Sequence, residues 1–231
     1  MADFHFVEDY ERHVAHLLSQ HPLDEAMSLA VGGNYDHVGS IECAVLKAFG
    51  LVDGMSVIDL GCGSGRLAHA LGKELAIDYL GIDIIEALLD YAKTKTPANF
   101  KFVMHRELSI PANDTSADII CAFSVFTHLL HTESYIYLEE MRRALKPGGL
   151  IIFSFLEFAA PEHWAVFEST LAVQRSGTAP HLNIFIERNA IDCWSEHLGL
   201  QREAFIDASD ARWEGHHLGQ SVAVLRKVED E

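Results

Sequence analysis

The chain is short of positive charge. Seventeen lysines and arginines stand against 34 aspartates and glutamates in 231 residues, a formal net charge of −17, and no basic run interrupts that excess. A surface of this sign repels a phosphate backbone and an anionic bilayer, so neither nucleic acid nor a membrane is an expected partner. Long apolar runs are missing too, since none approaches the roughly 18 residues of a membrane-spanning helix. The opening MADFHFVEDYERH carries acids and a histidine where a secretory signal needs a basic start and an apolar stretch, so export is not expected. Cysteine is sparse: Cys43, Cys62, Cys121 and Cys193 lie far apart with no C-x-x-C pair. That pattern fits neither a disulfide framework nor a zinc site, and it points to a reducing cytoplasm. There is no Pro-, Gly- or Ser-rich linker and no internal repeat. One α/β domain is expected over residues 50–231, preceded by a helical extension over 1–49.

Histidine, by contrast, is plentiful at 14 residues, and His13 with His16 and His128 with His131 stand at helical spacing. A metal site needs a third ligand and an oriented outer shell that spacing does not supply. These residues read as surface and pocket histidines, and no metal is expected.

The apolar rhythm divides the chain. Residues 5–30 place Phe6, Tyr10, Val14, Leu17 and Leu18 at helical spacing, predicting one or two helices outside the main fold, and a further helix spans about 39–49. From Gly50 the pattern changes. MSVIDL is a short aliphatic run bounded by glycines, the signature of a strand buried on both faces. RLAHALGKEL then reads as a helix, AIDYLGID as a strand, and EALLDYAKTK as a helix that stops before Pro97. FKFVMH and ADIICAFS are two more strands, TESYIYLEEMRRALK is a helix closed by Pro147-Gly148-Gly149, and LIIFSFLE is a fifth strand. Alternation of this kind predicts a parallel, doubly wound sheet with helices on both faces. Two helices follow, HWAVFESTLAVQ and RNAIDCWSEHLG, with a polar loop at about 175–183 between them. LQREAFID and QSVAVLRK close the chain as strands whose connection, 208–219, is too short for a crossover helix, so they are expected to be antiparallel at the sheet edge.

The segment VIDLGCGSGRLAHALG puts Gly61, Gly63 and Gly65 between the first strand and its helix, where a doubly wound sheet binds its ligand. Glycine there permits backbone dihedrals closed to other residues and lets a nucleoside-bearing cofactor touch main-chain atoms. Two cofactor classes fit. Gly63-Ser64-Gly65-Arg66-Leu67-Ala68 satisfies the looser dinucleotide frame, G-x-G-x-x-A. Asp59-Leu60-Gly61-Cys62-Gly63-Ser64-Gly65 satisfies acid-x-Gly-x-Gly-x-Gly with no position relaxed.

In that second frame the chain resembles motif I of the class I methyltransferases that use S-adenosylmethionine. YLGIDI, SIPANDTSADIICAFSVFTHL and ALKPGGLIIFSF resemble the family's later stretches in the same order, so the likeness covers about residues 50–157. It implies a Rossmann-like fold whose seven-stranded sheet has its last strand antiparallel. It also implies S-adenosylmethionine as cofactor, held around Asp59, Gly61, Cys62, Gly63, Gly65 and Arg66. Asp83, 24 residues after Asp59, falls where the family places an acid that accepts both ribose hydroxyls, with Ile84 beside it. The chain departs from the pattern after the third strand: His105-Arg106-Glu107 stands where an Asp and a small residue are usual. The adenine contact then passes to Glu107 or to the backbone N–H groups of Arg106 and Glu107. Ser124, past the fourth strand, completes the cofactor set.

Methyl transfer needs an oriented acceptor, and a base only where the acceptor must lose a proton. FSVFTHLLH offers Ser124, Thr127, His128 and His131, and FSFLEFAAPEHW offers Glu157 and His163. His128 is the first choice because it titrates near neutrality, with a carbonyl-bonded structural histidine as the equal alternative. Glu157 is the second, unless it pairs with a basic neighbour. Among the aromatics, Phe123, Phe153 and Phe155 read as core, while Phe126, Phe158 and Trp164 are candidates for a substrate wall. In many members of the family an N-terminal segment closes over the cofactor, a role open here to Tyr35 or His37. A small-molecule acceptor is expected. A cofactor-binding module without catalysis and a nicotinamide oxidoreductase remain as alternatives.

Overall fold

In a computed structural model the described residues are 7–177, 183–213 and 215–228. Phe6 and residues 178–182 of the expected polar loop lie outside them. The chain groups into two compact units, Met1–Glu107 and Leu108–Glu231.

The first unit holds α1 (Val7–Gln20), α2 (Leu23–Leu29), α3 (Tyr35–Ala48), β1 (Ser56–Leu60), α4 (Arg66–Glu74), β2 (Asp78–Asp83), α5 (Glu86–Lys95) and β3 (Lys101–Met104). Val57, Ile58, Asp59 and Leu60 are buried in succession, as a strand covered on both faces requires. The strands pair in parallel, β1 on β2 with Asp59 beside Gly81, and β2 on β3 with Asp83 beside Met104. The α5 helix ends at Lys95, two residues before Pro97, which disfavours helical dihedrals in the residue ahead of it. The N-terminal helices are not an outer layer: Val14, Met27 and Ala30 share a core with Ile85, Leu88 and Tyr91, flanked by Tyr10, Leu17, Tyr35 and Ile84.

The second unit holds β4 (Ala117–Ala122), α6 (His131–Ala144), β5 (Leu145–Phe155), α7 (Trp164–Ser176), α8 (Arg188–His197), β6 (Leu200–Ile206) and β7 (Ser221–Lys227). Here β4 and β5 are parallel, and β7 is antiparallel to both β5 and β6. β5 begins earlier than its apolar run, at Leu145, and takes in Pro147-Gly148-Gly149. The register with β4 shifts between Ala117 and Ile119, which absorbs a stretch containing a residue with no N–H to donate. Phe123, Phe153 and Phe155 are buried as expected. Phe126 is buried as well, stacked on Phe153 with ring centroids 4.3 Å apart, so it belongs to the core and not to a substrate wall.

Over the chain the strands run in the order β3-β2-β1-β4-β5-β7-β6, the expected seven-stranded, mostly parallel sheet with its last strand antiparallel.

Candidate functional site

The glycine bend between β1 and α4 is held mainly by main-chain bonds. Gly61 and Cys62 donate their N–H groups to Ile82 O at 2.7 and 3.0 Å, and Gly65 donates to Cys62 O at 3.0 Å. Gly63 and Gly65 have φ of 55° and 82°, in the left-handed region. What presses on them is the protein itself: a Cβ on Gly63 would lie 2.6 Å from Val31 Cγ1, and one on Gly65 would lie 2.7 Å from Ala92 Cβ. Gly63→Ala is therefore expected to lower stability by about 1–2 kcal/mol. Adding Val31→Ala should return the steric share and leave the dihedral share, as read from urea unfolding midpoints of the single and double variants.

At the end of β2 the Asp83 carboxylate is docked onto this bend. Its Oδ2 accepts the Gly63 N–H at 2.8 Å and its Oδ1 the Ile85 N–H at 3.0 Å. Burial pushes its pKa up, against the pull of N–H bonds from Ile85, Gly63 and Ile84. A carboxylate has about four acceptor positions, so after the three N–H bonds about one remains for a hydroxyl donor. Asp59 is buried in the sheet, where its Oδ2 accepts the Tyr79 hydroxyl at 2.5 Å. The Cys62 thiol is buried, which with the nearby Asp83 and Asp59 charges raises its pKa and suits packing, not nucleophilic chemistry.

Both arginines of the expected set hold N-terminal segments. Arg66 Nε and Nη2 donate to Glu42 Oε1 at 2.9 and 2.6 Å, and its Nη1 donates to Val31 O at 2.6 Å. Arg106 Nε donates to Ile84 O at 3.0 Å while its Nη2 pairs with Glu11. Glu107 is exposed. The Tyr35 hydroxyl donates to Ser64 O at 3.0 Å, and Ser64 Oγ donates to Met27 O at 2.9 Å. Tyr10 is a neighbour that sequence reasoning had only as a packing residue. Burial and the Asp83 charge raise its pKa, while Arg66 lowers it, so its phenol lies within the field of the ribose-acid candidate.

The second unit carries the remaining candidates. Ser124 adopts φ of 58°, its N–H donates to Ser154 Oγ at 2.7 Å, Ser154 Oγ donates to Gln220 Oε1 at 2.6 Å, and Gln220 Nε2 donates to Ser124 Oγ at 3.1 Å. Three strand ends thereby fix one hydroxyl. The local sequence hid this ring because Gln220 is 96 residues from Ser124. His128 ends a short 3-10 turn, Phe126–His128, and is half-buried. Glu157 is not a free base. It is 1% exposed, Arg188 Nε donates to both of its oxygens at 3.1 and 3.0 Å, and Arg188 Nη2 and Ser221 Oγ both donate to Oε1. The basic neighbour weighed against it is thus Arg188, which also pairs with Asp207. This pair walls a cavity of about 530 Å³ with Glu162, Glu187 and Asp207. His163 is buried, its Nδ1 accepting the Glu157 N–H at 3.0 Å.

With this geometry in place, residues 58–153 match the family model described as a methyltransferase domain. The match agrees with the resemblance to the class I methyltransferases that the glycine frame carries. Their cofactor is S-adenosylmethionine, and the Asp83 carboxylate beside a glycine bend has the acceptor chemistry to fit its ribose. Demethylmenaquinone methyltransferase of Staphylococcus aureus is 34% identical to this chain over 113 residues, 47% of this chain and 46% of that protein. The match thus spans under half of that relative. Ubiquinone biosynthesis O-methyltransferase of Colwellia psychrerythraea is 29% identical over 182 residues, 74% of this chain and 71% of that protein. The structure of magnesium protoporphyrin IX methyltransferase from Synechocystis with bound S-adenosylhomocysteine has a TM-score of 0.65 at 17% identity, covering 96% of this chain and 95% of that one, a likeness of fold. Among the described residues no helix is long and apolar enough to cross a membrane.

Proposed function

We propose that this methyltransferase moves the methyl group of S-adenosylmethionine to a small-molecule acceptor by in-line displacement. One observation carries the reading: a half-buried carboxylate, Asp83, docked on the N–H of Gly63 in an acid-x-Gly-x-Gly-x-Gly bend. Asp83 accepts a ribose hydroxyl, and the bend from Gly61 to Gly65 lies against the nucleoside with Cys62 as packing. Asp59 and Arg66 brace the bend, and Ile84, Arg106 and Glu107 line the adenine side. Ser124 adds a hydroxyl oriented by Gln220. Residues 1–49 act as a lid, an assignment supported by the bonds from Tyr35, Ser64 and Arg66 that tie this segment to the bend. When bound, the cofactor supplies an activated methyl on its sulfonium.

His128 is the candidate to take a proton from a hydroxyl acceptor. Glu157, committed to Arg188, shapes the surroundings instead. A small-molecule acceptor is supported by the two relatives, whose names refer to demethylmenaquinone and to ubiquinone biosynthesis. The sparse cysteines, none of them disulfide-bonded among the described residues, support a reducing compartment. Calorimetry tests the reading: S-adenosylhomocysteine should bind one per chain, and absence of binding would overturn it. His128→Ala should keep that affinity and lower turnover of a hydroxyl acceptor, and a fully active variant would remove His128 as the base.

A further inference from the structure

Four aromatic rings gather beyond β5, in the second unit, without the burial that rings of this size usually find. Phe158 and Trp164 are each 50% exposed, and α7, which starts at Trp164, has no buried residue. Scattered exposed aromatics are ordinary on a protein surface, but a contiguous exposed group marks a recognition surface. The rings are ordered among themselves. Phe158 stacks on Phe185 with centroids 4.3 Å apart and planes 11° apart. Phe167 stands edge-on to both, at 5.1 Å and 86° and at 5.8 Å and 85°, and Trp164 leans on Phe167 at 5.1 Å.

Polar bonds set these positions in advance. The Phe158 N–H donates to Glu187 Oε1 at 2.7 Å, and Trp164 Nε1 donates to Glu168 Oε1 at 3.0 Å. The segment carrying Phe185 is stitched on both sides: the Ile184 N–H donates to Thr127 O at 2.8 Å, and the Ile186 N–H donates to Leu156 O at 2.7 Å. The first of these bonds ends on the residue before His128. The platform is therefore pre-formed and joined through one peptide unit to the candidate base, which favours a ligand whose reacting group reaches His128 while its body lies on the rings.

We propose that this platform seats the acceptor and that the acceptor is a planar aromatic or conjugated ring compound. The inference rests on the methyl-transfer reading and names its substrate class. Flat π faces select another flat π face by offset stacking and edge-to-face contact, beyond the area they bury, whereas a saturated ring of the same carbon skeleton cannot lie flat.

The probes are 2-naphthol and its saturated counterpart decahydro-2-naphthol, titrated by calorimetry into the full chain. Saturable binding of 2-naphthol is expected, weakened about tenfold by Phe158→Ala and by Trp164→Ala, with decahydro-2-naphthol weaker by a similar factor on the wild type. Both rings are half-exposed, so the variants should lose some stability but stay folded, as a cooperative urea transition shows. Equal binding of the two probes, or variants that bind 2-naphthol as well as the wild type, would overturn the proposal. So would a wild-type dimer in sedimentation that the paired variant dissolves, because a second copy would then cover the rings. S-adenosylhomocysteine titrated into the same samples separates the two readings: its binding without a naphthol site sinks only the ring-acceptor inference, and its failure to bind sinks the methyl-transfer reading beneath it.

Discussion

Glu42→Ala is expected to lower the unfolding free energy by about 3–5 kcal/mol, the range for removing one partner of a buried ion pair. Glu42 is 1% exposed and accepts two N–H groups of Arg66, which in turn grips the Val31 carbonyl. Burial raises the Glu42 carboxyl pKa and the Arg66 charge lowers it, so the variant would leave a guanidinium without the carboxylate that pairs with it. Gly39, three residues earlier on α3, shows how close the helices come, since a Cβ there would lie 2.4 Å from Arg66 O. Replacing both partners by apolar residues, Glu42→Leu with Arg66→Met, should recover most of the loss, because no buried charge then remains. Urea unfolding of the three variants measures this, and a loss below about 1 kcal/mol for Glu42→Ala would show that the pair is not a structural clamp.

Asp83→Ala should weaken S-adenosylhomocysteine binding by about 1.5–3 kcal/mol through loss of charged hydrogen bonds. It should also destabilise the free chain, because the N–H groups of Gly63 and Ile85 lose their acceptor. The pH dependence has opposite signs for the two quantities. The folded chain holds the Asp83 proton more tightly than an unfolded chain, for which 3.8 is the ordinary value, because burial raises the folded pKa. The contribution of Asp83 to the stability of the free chain therefore falls as pH rises from 3.8 through that raised value. Ligand affinity rises over the same window, because the ionised carboxylate is the better acceptor for ribose hydroxyls. Calorimetry across mildly acidic pH should show this trend in the wild type and not in the variant. Unchanged affinity in Asp83→Ala would remove Asp83 from the site.

The parts of the molecule that could be read along the chain are those whose cause lies within a few residues. The α5 helix occupies the residues its periodicity marked, 86–95, because apolar spacing and the approach of Pro97 are local. β1 follows from a short, mostly aliphatic run bounded by glycines, and the glycine frame follows from left-handed dihedrals that only glycine adopts readily. Even there the pressing atoms were hidden, since Val31 is 32 residues before Gly63.

What tertiary structure alone decided is which distant groups share a site. Two closing strands were legible as an antiparallel pair, but only the folded sheet inserts β7 between β5 and β6. Alternation along β5 could not tell that Phe126 would lie on Phe153 while Phe158 remained half in solvent. Glu157 looked like a strand-end carboxylate until Arg188, 31 residues later, occupied it. Local dihedral preference and apolar period are properties of a short stretch and are written there. Pairing of charges and stacking of rings depend on which stretches the fold brings together, so the sequence by itself determined the elements and the cofactor frame, and the packing of those elements determined the roles of the residues around it.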